Sequence, residues 1–177
     1  MDYYRSPNFN CSTKRFEHPS GDNNERKFLQ ITKVASEYFW RDYDEWEYKG
    51  FPTINPSKIE LAHFSESVIW VGHSTVMMNH NGVTVLTDPH FTKRAGPFGF
   101  MGPKRITPPP FLIEDLPKID IIIISHNHYD HLDRQSIIRL TTLQPEIKFF
   151  APLGLSRILK SLGVKDIIEL DWWQSVK

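Results

Sequence analysis

From residue 68 onward, short apolar runs alternate with turn residues, and this pattern predicts a β-sheet. The runs are rich in branched and aromatic side chains, which favour strands. The predicted strands cover residues 68–71, 76–79, 83–87, 121–125, 148–151 and 167–170. An Asn81-Gly82 pair separates the second and third runs and is typical of a tight hairpin turn, so we expect those two strands to pair antiparallel.

Helical patterns separate the later strands. Residues 134–143 follow Asp133, a residue type that caps helix N-termini well, and residues 154–162 end before Gly163. Strands and helices that alternate in this way usually form parallel strands joined by crossovers. The sequence therefore predicts an α/β fold with a mixed sheet and flanking helices.

The N-terminal part of the chain has a different character and predicts two further segments. Residues 1–22 are rich in Asn, Ser, Pro and Gly and predict a flexible leader. Residues 23–62 predict an amphipathic N-terminal helical extension and a linker, because apolar residues recur there at helical spacing before a proline-containing stretch. The aromatic side chains of this helix could face a membrane or a partner, although burial against the domain itself is the favoured interpretation. Residues 63–177 form the main domain in this division.

Composition and charge exclude several classes of function. The 21 basic and 21 acidic residues give a net charge of zero, so the chain lacks the basic footprint of a nucleic-acid-binding protein. The lone Cys11 cannot form an internal disulfide, which favours a reducing, intracellular compartment. The longest aliphatic run, residues 121–124, is far shorter than a membrane span of about 20 residues. We therefore expect a cytoplasmic protein without a transmembrane segment.

The strongest chemical signal lies directly after that aliphatic run. Residues 125–133 contain three histidines and two aspartates. Side chains alternate faces in an extended segment, so His126 and His128 should point the same way and could bind one ion. Asp130 and His131 follow where the chain turns into a helix and could serve a second ion. Imidazole and carboxylate ligands suit zinc, so the segment predicts a binuclear zinc site.

Four motifs make the chain similar to a known family. They are Thr87-Asp88-Pro89, Met101-Gly102-Pro103-Lys104-Arg105, the His126-x-His128-x-Asp130-His131 signature and Glu169-Leu170-Asp171-Trp172-Trp173. Through them, residues 68–177 resemble the metallo-β-lactamase superfamily and, within it, the N-acylphosphatidylethanolamine-hydrolysing phospholipase D family. The histidine signature is that of the superfamily, and the Met-Gly-Pro-Lys-Arg and Asp-Trp-Trp segments indicate the phospholipase branch.

The resemblance implies a fold, an activity and partners. The fold would be the first half of an αβ/βα sandwich, in which a second half covers a mixed sheet with flanking helices. The activity would be that of a zinc-dependent phosphodiesterase with two ions, which releases N-acylethanolamine and phosphatidic acid from a phospholipid substrate. Asp130 would be the catalytic residue that positions or deprotonates the attacking water. Such an enzyme would meet its substrate as a peripheral protein at the membrane surface.

Two residues of the first strands could support the metal ligands. Asp88 could orient a ligand histidine or its loop through a hydrogen bond, or it could be an ordinary turn residue before a proline. His73 could contact the ligands or the substrate, but a structural role is equally compatible with its position. We therefore do not count His73 as a ligand.

The stretch of residues 91–111 is dense in Gly, Pro and aromatic residues and predicts a functional surface loop beside the active site. Lys104 and Arg105 could pair with a phosphate, while Phe98, Phe100 and Met101 could offer apolar surface to acyl chains. The alternative for the two basic residues is a proline-ordered loop whose cationic groups are solvated.

The second half of the family's metal site has no counterpart in this sequence. The family completes its ions with a third histidine, a bridging aspartate and a final histidine, whereas no histidine follows His131 here. The sequence therefore predicts a truncated form with two ligands per ion. Two alternatives stay open: a non-catalytic metal-binding or partner-dependent half-domain, and a metal-dependent lactone or ester hydrolase. An uncovered apolar face, with residues such as Val71, Leu86 and Ile123, predicts that the chain aggregates, forms a homodimer or remains partly molten.

Overall fold

Two β-sheets contain the strands of the computed structural model, which describes residues 6–20 and 65–176. The small sheet pairs β1 (Phe9–Asn10) with β2 (Arg15–Phe16). The strands of the large sheet are β3 (Ser67–Gly72), β4 (Thr75–His80), β5 (Val83–Thr87), β6 (Ile121–Ile123), β7 (Lys148–Pro152) and β8 (Asp166–Leu170). The helices in these two ranges are α1 (Arg134–Leu143), α2 (Ser156–Ser161) and a 3-10 turn at Ile113–Asp115.

The strands of the large sheet follow one another in the order of the sequence, from β3 at one edge to β8 at the other. The first three strands pair antiparallel and the last four pair parallel, so the sheet is mixed, as predicted. All the predicted strands and both helices after residue 120 are present, with small differences at their ends. Asn81 and Gly82 join β4 to β5 with positive φ at both residues, which confirms the predicted hairpin turn.

One face of the large sheet is buried under the helices. Leu86, Ile122 and Phe149 lie opposite one another on neighbouring strands and are completely buried. Ile137 of α1 and Leu159 of α2 belong to the same hydrophobic cluster. The core is therefore a single layer between the sheet and the two helices.

The opposite face of the large sheet remains partly open to solvent, and we call it the open face. Val68 and Ile123 lie on it and are 68% and 40% exposed. The sequence places Val71 and Leu86 on this face as well, and that prediction is wrong, because both are buried in the core. Leu86 pairs with Ile122, so the alternation of side chains along a strand turns Ile123 to the other face.

Residues 6–20, inside the segment predicted to be a flexible leader, contain the β1–β2 hairpin. The rings of Phe9 and Phe16 pack edge to face with 5.1 Å between their centroids. The Ser6 hydroxyl donates a hydrogen bond to the carboxylate of Asp171, the residue that follows β8. Composition does not reveal this arrangement, because the contact that holds the hairpin to the domain joins residues at opposite ends of the chain.

The predicted N-terminal helical extension and linker, residues 23–62, lie entirely outside the described residues. The division of the chain at residues 22 and 62 therefore stays a prediction. In the part of the chain that the structure describes, no helix has the length and apolar character needed to span a bilayer.

Candidate metal centre

The predicted metal-binding residues lie in one loop between β6 and α1, which we call the metal loop (residues 124–133). A tight turn in its middle directs two backbone amides at the carbonyl of His128. Its last residue, Asp133, is the N-cap of α1 and accepts a hydrogen bond from a backbone amide of the first helical turn. The histidines therefore lie in a strand-to-helix loop, as the sequence predicts, and not within a helix.

Three imidazoles of the metal loop converge. His126 Nε2 lies 3.1 Å from His128 Nδ1, so these two side chains point to the same side. The ring of His126 also packs against that of His131, with 4.0 Å between centroids. Facing ring nitrogens can share one proton or bind one cation, and a cation satisfies both lone pairs at once. This donor set fits a transition-metal ion.

The charges of the loop also suit a cation. Burial lowers the pKa of His126 below its ordinary value, and the nearby imidazoles of His131 and His128 lower it further. A neutral imidazole can bind a metal without first releasing a proton. Burial alone would raise the pKa of Asp130, but its own backbone amide, His131 and His73 lower it below the ordinary value. The loop thus combines an imidazole whose neutral form is favoured, that of His126, with a carboxylate whose ionised form is favoured, that of Asp130.

Asp88, directly after β5, orients the metal loop. Its buried carboxylate accepts hydrogen bonds from the Ser125 amide at 2.7 Å, the Ser125 hydroxyl at 2.7 Å and His131 Nδ1 at 2.8 Å. A proton on Nδ1 leaves the lone pair of His131 on Nε2, the nitrogen that faces Asp130. Carboxylates often fix the tautomer of ligand histidines in this way. The structure therefore places Asp88 where the orienting role requires it.

His73 lies closer to the metal loop than the sequence indicates. It occupies the turn between β3 and β4, and its Nε2 is 2.9 Å from Asp130 Oδ2. The same oxygen is 3.7 Å from His131 Nε2, and one ligand atom from each of the three residues lies within 4.8 Å of the others. The signal that could have found His73 is the topology. A β3–β4 hairpin places this turn at the end of the sheet where the carboxyl ends of β5 and β6 also lie.

The structure gives Arg105 a role different from the suggested phosphate contact. Its guanidinium donates hydrogen bonds to three backbone carbonyls, those of Val71, His90 and Thr107. A guanidinium committed in this way has few donors left for a phosphate. The backbone of Lys104, the other suggested phosphate contact, forms an isolated β-bridge with Arg94. Arg105 thus fixes the loop after β5 to the end of β3.

The loop after β5 carries an exposed aromatic tip (residues 97–101). At the base of this tip, the backbones of Gly96 and Met101 pack so closely that a Cβ on Gly96 would lie 2.0 Å from the Met101 carbonyl oxygen. Beyond this base, Phe98 and Phe100 stack at 5.7 Å and are 57% and 71% exposed. Gln135, in the first turn of α1, donates to the Phe98 carbonyl at 2.6 Å. The aromatic tip therefore stands at the end of α1 where the metal loop finishes.

Comparison with known proteins finds several similar chains. A model of the beta-lactamase superfamily domain matches residues 83–177, just over half of the chain. N-acyl-phosphatidylethanolamine-hydrolyzing phospholipase D 1 of Caenorhabditis elegans is 45% identical over 111 residues, which cover 60% of this chain and 31% of that protein. The mitochondrial N-acyl-phosphatidylethanolamine-hydrolyzing phospholipase D of Saccharomyces cerevisiae is 37% identical over 108 residues, which cover 61% of this chain and 23% of that protein.

A solved structure also resembles part of the chain. It is that of CmlA, a diiron beta-hydroxylase from Streptomyces venezuelae, with 28% identity and a TM-score of 0.49. The match covers 64% of this chain and 22% of that one. The chain thus spans under a third of the length of each of these relatives.

Proposed function

The chain belongs to the metallo-β-lactamase superfamily, and on that premise we propose that it supplies metal-binding residues of a zinc-dependent hydrolase acting on N-acylphosphatidylethanolamine. The reaction would cleave the phosphodiester bond and release N-acylethanolamine and phosphatidic acid. The observation that carries this proposal is the convergence of His126, His128, Asp130 and His131 in one loop. The two relatives named for this activity support the choice of substrate.

The residues of the metal centre would have different roles in the reaction. His126, His128 and His131 would hold zinc through imidazole nitrogens, and Asp130 through its carboxylate. Bound zinc would stabilise the negative charge that develops on the phosphoryl oxygens. Asp130 stays ionised because of its lowered pKa, so it could accept a hydrogen bond from the attacking water and orient it. Asp88 would keep His131 in the tautomer whose Nε2 is able to bind.

The surroundings of the metal loop support a phospholipid substrate. Besides Arg105, whose guanidinium binds backbone carbonyls, residues 89–113 contain three basic residues and no acidic one. Within this stretch the aromatic tip exposes two phenylalanine rings. Apolar rings in a basic segment are typical of surfaces that bind where anionic headgroups meet acyl chains. The proposal therefore includes peripheral contact between the aromatic tip and a membrane surface.

Replacing Phe98 and Phe100 with serine is expected to weaken vesicle binding by about tenfold or more. A fully buried phenylalanine gains roughly 1.5–3 kcal/mol, and even partial insertion of two rings exceeds the 1.4 kcal/mol that a factor of ten requires. Cosedimentation with vesicles of phosphatidylcholine and phosphatidylserine measures the change. A control with Ile138→Ser and Leu143→Ser, two exposed residues of α1, should bind like the unmodified chain. Equal vesicle binding by all three proteins would contradict the proposed contact between the aromatic tip and the membrane.

A metal-binding half-domain without turnover is the second candidate. Within these 177 residues no histidine follows His131, so they alone supply no later imidazole for either ion. Two-metal hydrolysis requires ions about 3.5–4 Å apart, and holding that separation requires a full set of ligands. In this candidate the chain binds zinc but does not cleave the phospholipid.

A zinc titration and a hydrolysis assay on the 177-residue chain separate the two candidates. The enzyme should release N-acylethanolamine in the presence of zinc, and a His126→Ala, His128→Ala variant should lose that release. The half-domain should bind zinc, more weakly in the same variant, and should form no product. His80→Ala removes an exposed imidazole of β4 and should change neither measurement. Turnover of a lactone or carboxylic ester without turnover of the phospholipid would contradict the proposed substrate.

A further inference from the structure

We propose that His73 is itself a metal ligand, and that His73, Asp130 and His131 form a three-ligand site for a divalent transition metal such as zinc. The inference rests on the metal-binding part of the proposed function and is independent of the substrate. It adds to the metal loop a ligand that lies 57 residues earlier in the chain than Asp130.

The ligand atoms stand at separations close to those of a metal site. His73 Nε2 and Asp130 Oδ2 are 2.9 Å apart, and Asp130 Oδ2 and His131 Nε2 are 3.7 Å apart. Ligand atoms at ~2.0–2.1 Å from a tetrahedral ion lie roughly 3.3 Å from one another. These two distances bracket that value, and the His73 and His131 ligand atoms lie within 4.8 Å of each other. Side-chain rotations could therefore bring all three atoms around one ion.

The cluster also has the orientation and the access that an ion needs. Asp88 accepts the Nδ1 proton of His131, which leaves Nε2 as the ligand atom. The His73 ring packs edge to face with the His131 ring, so the two imidazoles approach the carboxylate from different directions. The side chains of His73 and Asp130 are 51% and 38% exposed, so solvent reaches the cluster from one side. An ion bound there would keep an open position for water.

The backbone of the β3–β4 turn holds His73 in a sparsely populated conformation. Gly72 and His73 have φ values of +130° and +52°, so a non-glycine residue occupies the left-handed region. Most residues other than glycine, asparagine and aspartate avoid that region. The turn fixes the direction of the imidazole, and residues held in such conformations cluster at functional sites.

Neighbouring side chains keep the β3–β4 turn in place before any ion binds. Trp70 Nε1 donates to the His73 carbonyl at 2.8 Å, and Arg105 Nη2 donates to the Val71 carbonyl at 3.0 Å. Arg105 also fills the space beside Gly72, where a Cβ would lie 2.3 Å from Nη2. A preorganised ligand loses little freedom on binding, which favours affinity.

A third ligand changes how firmly the described residues can hold a metal. Asp130 and His131 alone supply two ligands, whereas catalytic zinc sites normally have three protein ligands and an open position. With His73 the cluster reaches that number without any residue from later in the chain. One ion can therefore be bound by His73, Asp130 and His131 while His126 and His128 remain a two-ligand pair.

A cobalt(II) titration of the full chain tests the assignment, because cobalt(II) accepts zinc ligands and is paramagnetic. We expect the NMR spectrum of the cobalt-bound chain to show strongly shifted imidazole signals from His73. The His73→Gln variant should lose one set of these signals and bind cobalt at least about tenfold more weakly. Glutamine can still donate a hydrogen bond to Asp130 but is a poor ligand. A residue that only positioned Asp130 would therefore be rescued by glutamine.

Two further variants complete the test. His80→Gln removes an exposed imidazole elsewhere and should bind cobalt like the unmodified chain. His73→Asn is a second substitution at the same site, since asparagine tolerates positive φ, and should give the same loss even if the glutamine variant folds poorly. Metal-free thermal unfolding checks the fold of each protein.

The assignment is overturned if His73→Gln, or His73→Asn where the former does not fold, keeps the cobalt affinity and the number of shifted imidazole signals of the unmodified chain. Absence of cobalt binding by the unmodified chain overturns both this inference and the metal-binding part of the proposed function. Cobalt binding through His73 without phospholipid cleavage supports the inference and contradicts only the enzymatic proposal.

Discussion

Replacing Asp88 with alanine is expected to lower the free energy of unfolding by about 3 kcal/mol and to weaken zinc binding roughly 10- to 100-fold. The buried carboxylate accepts hydrogen bonds from the amide and hydroxyl of Ser125 and from His131 Nδ1. Alanine leaves these three donors without their acceptor, and each costs about 1 kcal/mol or more. Zinc binding weakens because His131 loses the partner that fixes its tautomer. Urea denaturation and a zinc titration measure the two effects.

Two other variants separate the role of the Asp88 carboxylate from a general loss of charge. Asp166→Ala removes an exposed carboxylate of β8, 3.7 Å from Lys148, and should change the free energy of unfolding by no more than about 0.5 kcal/mol. Asp88→Asn can still accept from the Ser125 amide, but its NH2 group opposes the His131 proton. Part of the stability should therefore return while zinc binding stays weak. Unchanged zinc binding in Asp88→Ala would contradict the orienting role.

The open face of the large sheet is expected to make the purified chain self-associate as its concentration rises. Val68 and Ile123 expose apolar surface there, and each 100 Å² that a second copy covers contributes about 2.5 kcal/mol. A variant with Val68→Lys and Ile123→Lys should reach the same degree of association only at a protein concentration at least about ten times higher. Sedimentation velocity over a concentration series measures this shift.

Added charge improves solubility by itself, so the control for the open face carries the same two lysines elsewhere. Leu112 and Ile138 are 64% and 47% exposed and lie outside the sheet. A Leu112→Lys, Ile138→Lys variant should associate like the unmodified chain. An unmodified chain that stays monomeric throughout the series would show that the open face does not drive association.

Local signals were sufficient to predict the strands of the large sheet but not which side chains face the core. The turn at Asn81-Gly82 and the apolar runs around it mark strand positions without any knowledge of neighbours. Residues 121–124 are all isoleucine, so no alternation of polar and apolar residues indicates a buried face. Only the register of Leu86 opposite Ile122 decides that Ile123 points away from the core. The error in assigning Leu86 to the open face has this origin.

In the candidate site too, the sequence predicts the contacts between neighbouring residues but not those between distant ones. The ligands of the metal loop follow one another in the sequence, so their spacing alone brings them together. His73 and Asp130 are 57 residues apart in the sequence. They meet only because the carboxyl ends of β3 and β6 lie at the same end of the sheet. Arg105 has the sequence context of a phosphate contact, but its donors bind carbonyls that no local pattern identifies. Long-range packing therefore decides the roles of both residues.

The order of the strands bears on how the chain folds while the ribosome makes it. Each strand of the large sheet after β3 pairs with the strand synthesised just before it, so none of them waits for a partner further along the chain. All the residues of the candidate metal centre, from His73 to His131, precede α1. A nascent chain that has emerged as far as α1 already exposes every one of these ligands, before β7 and β8 emerge.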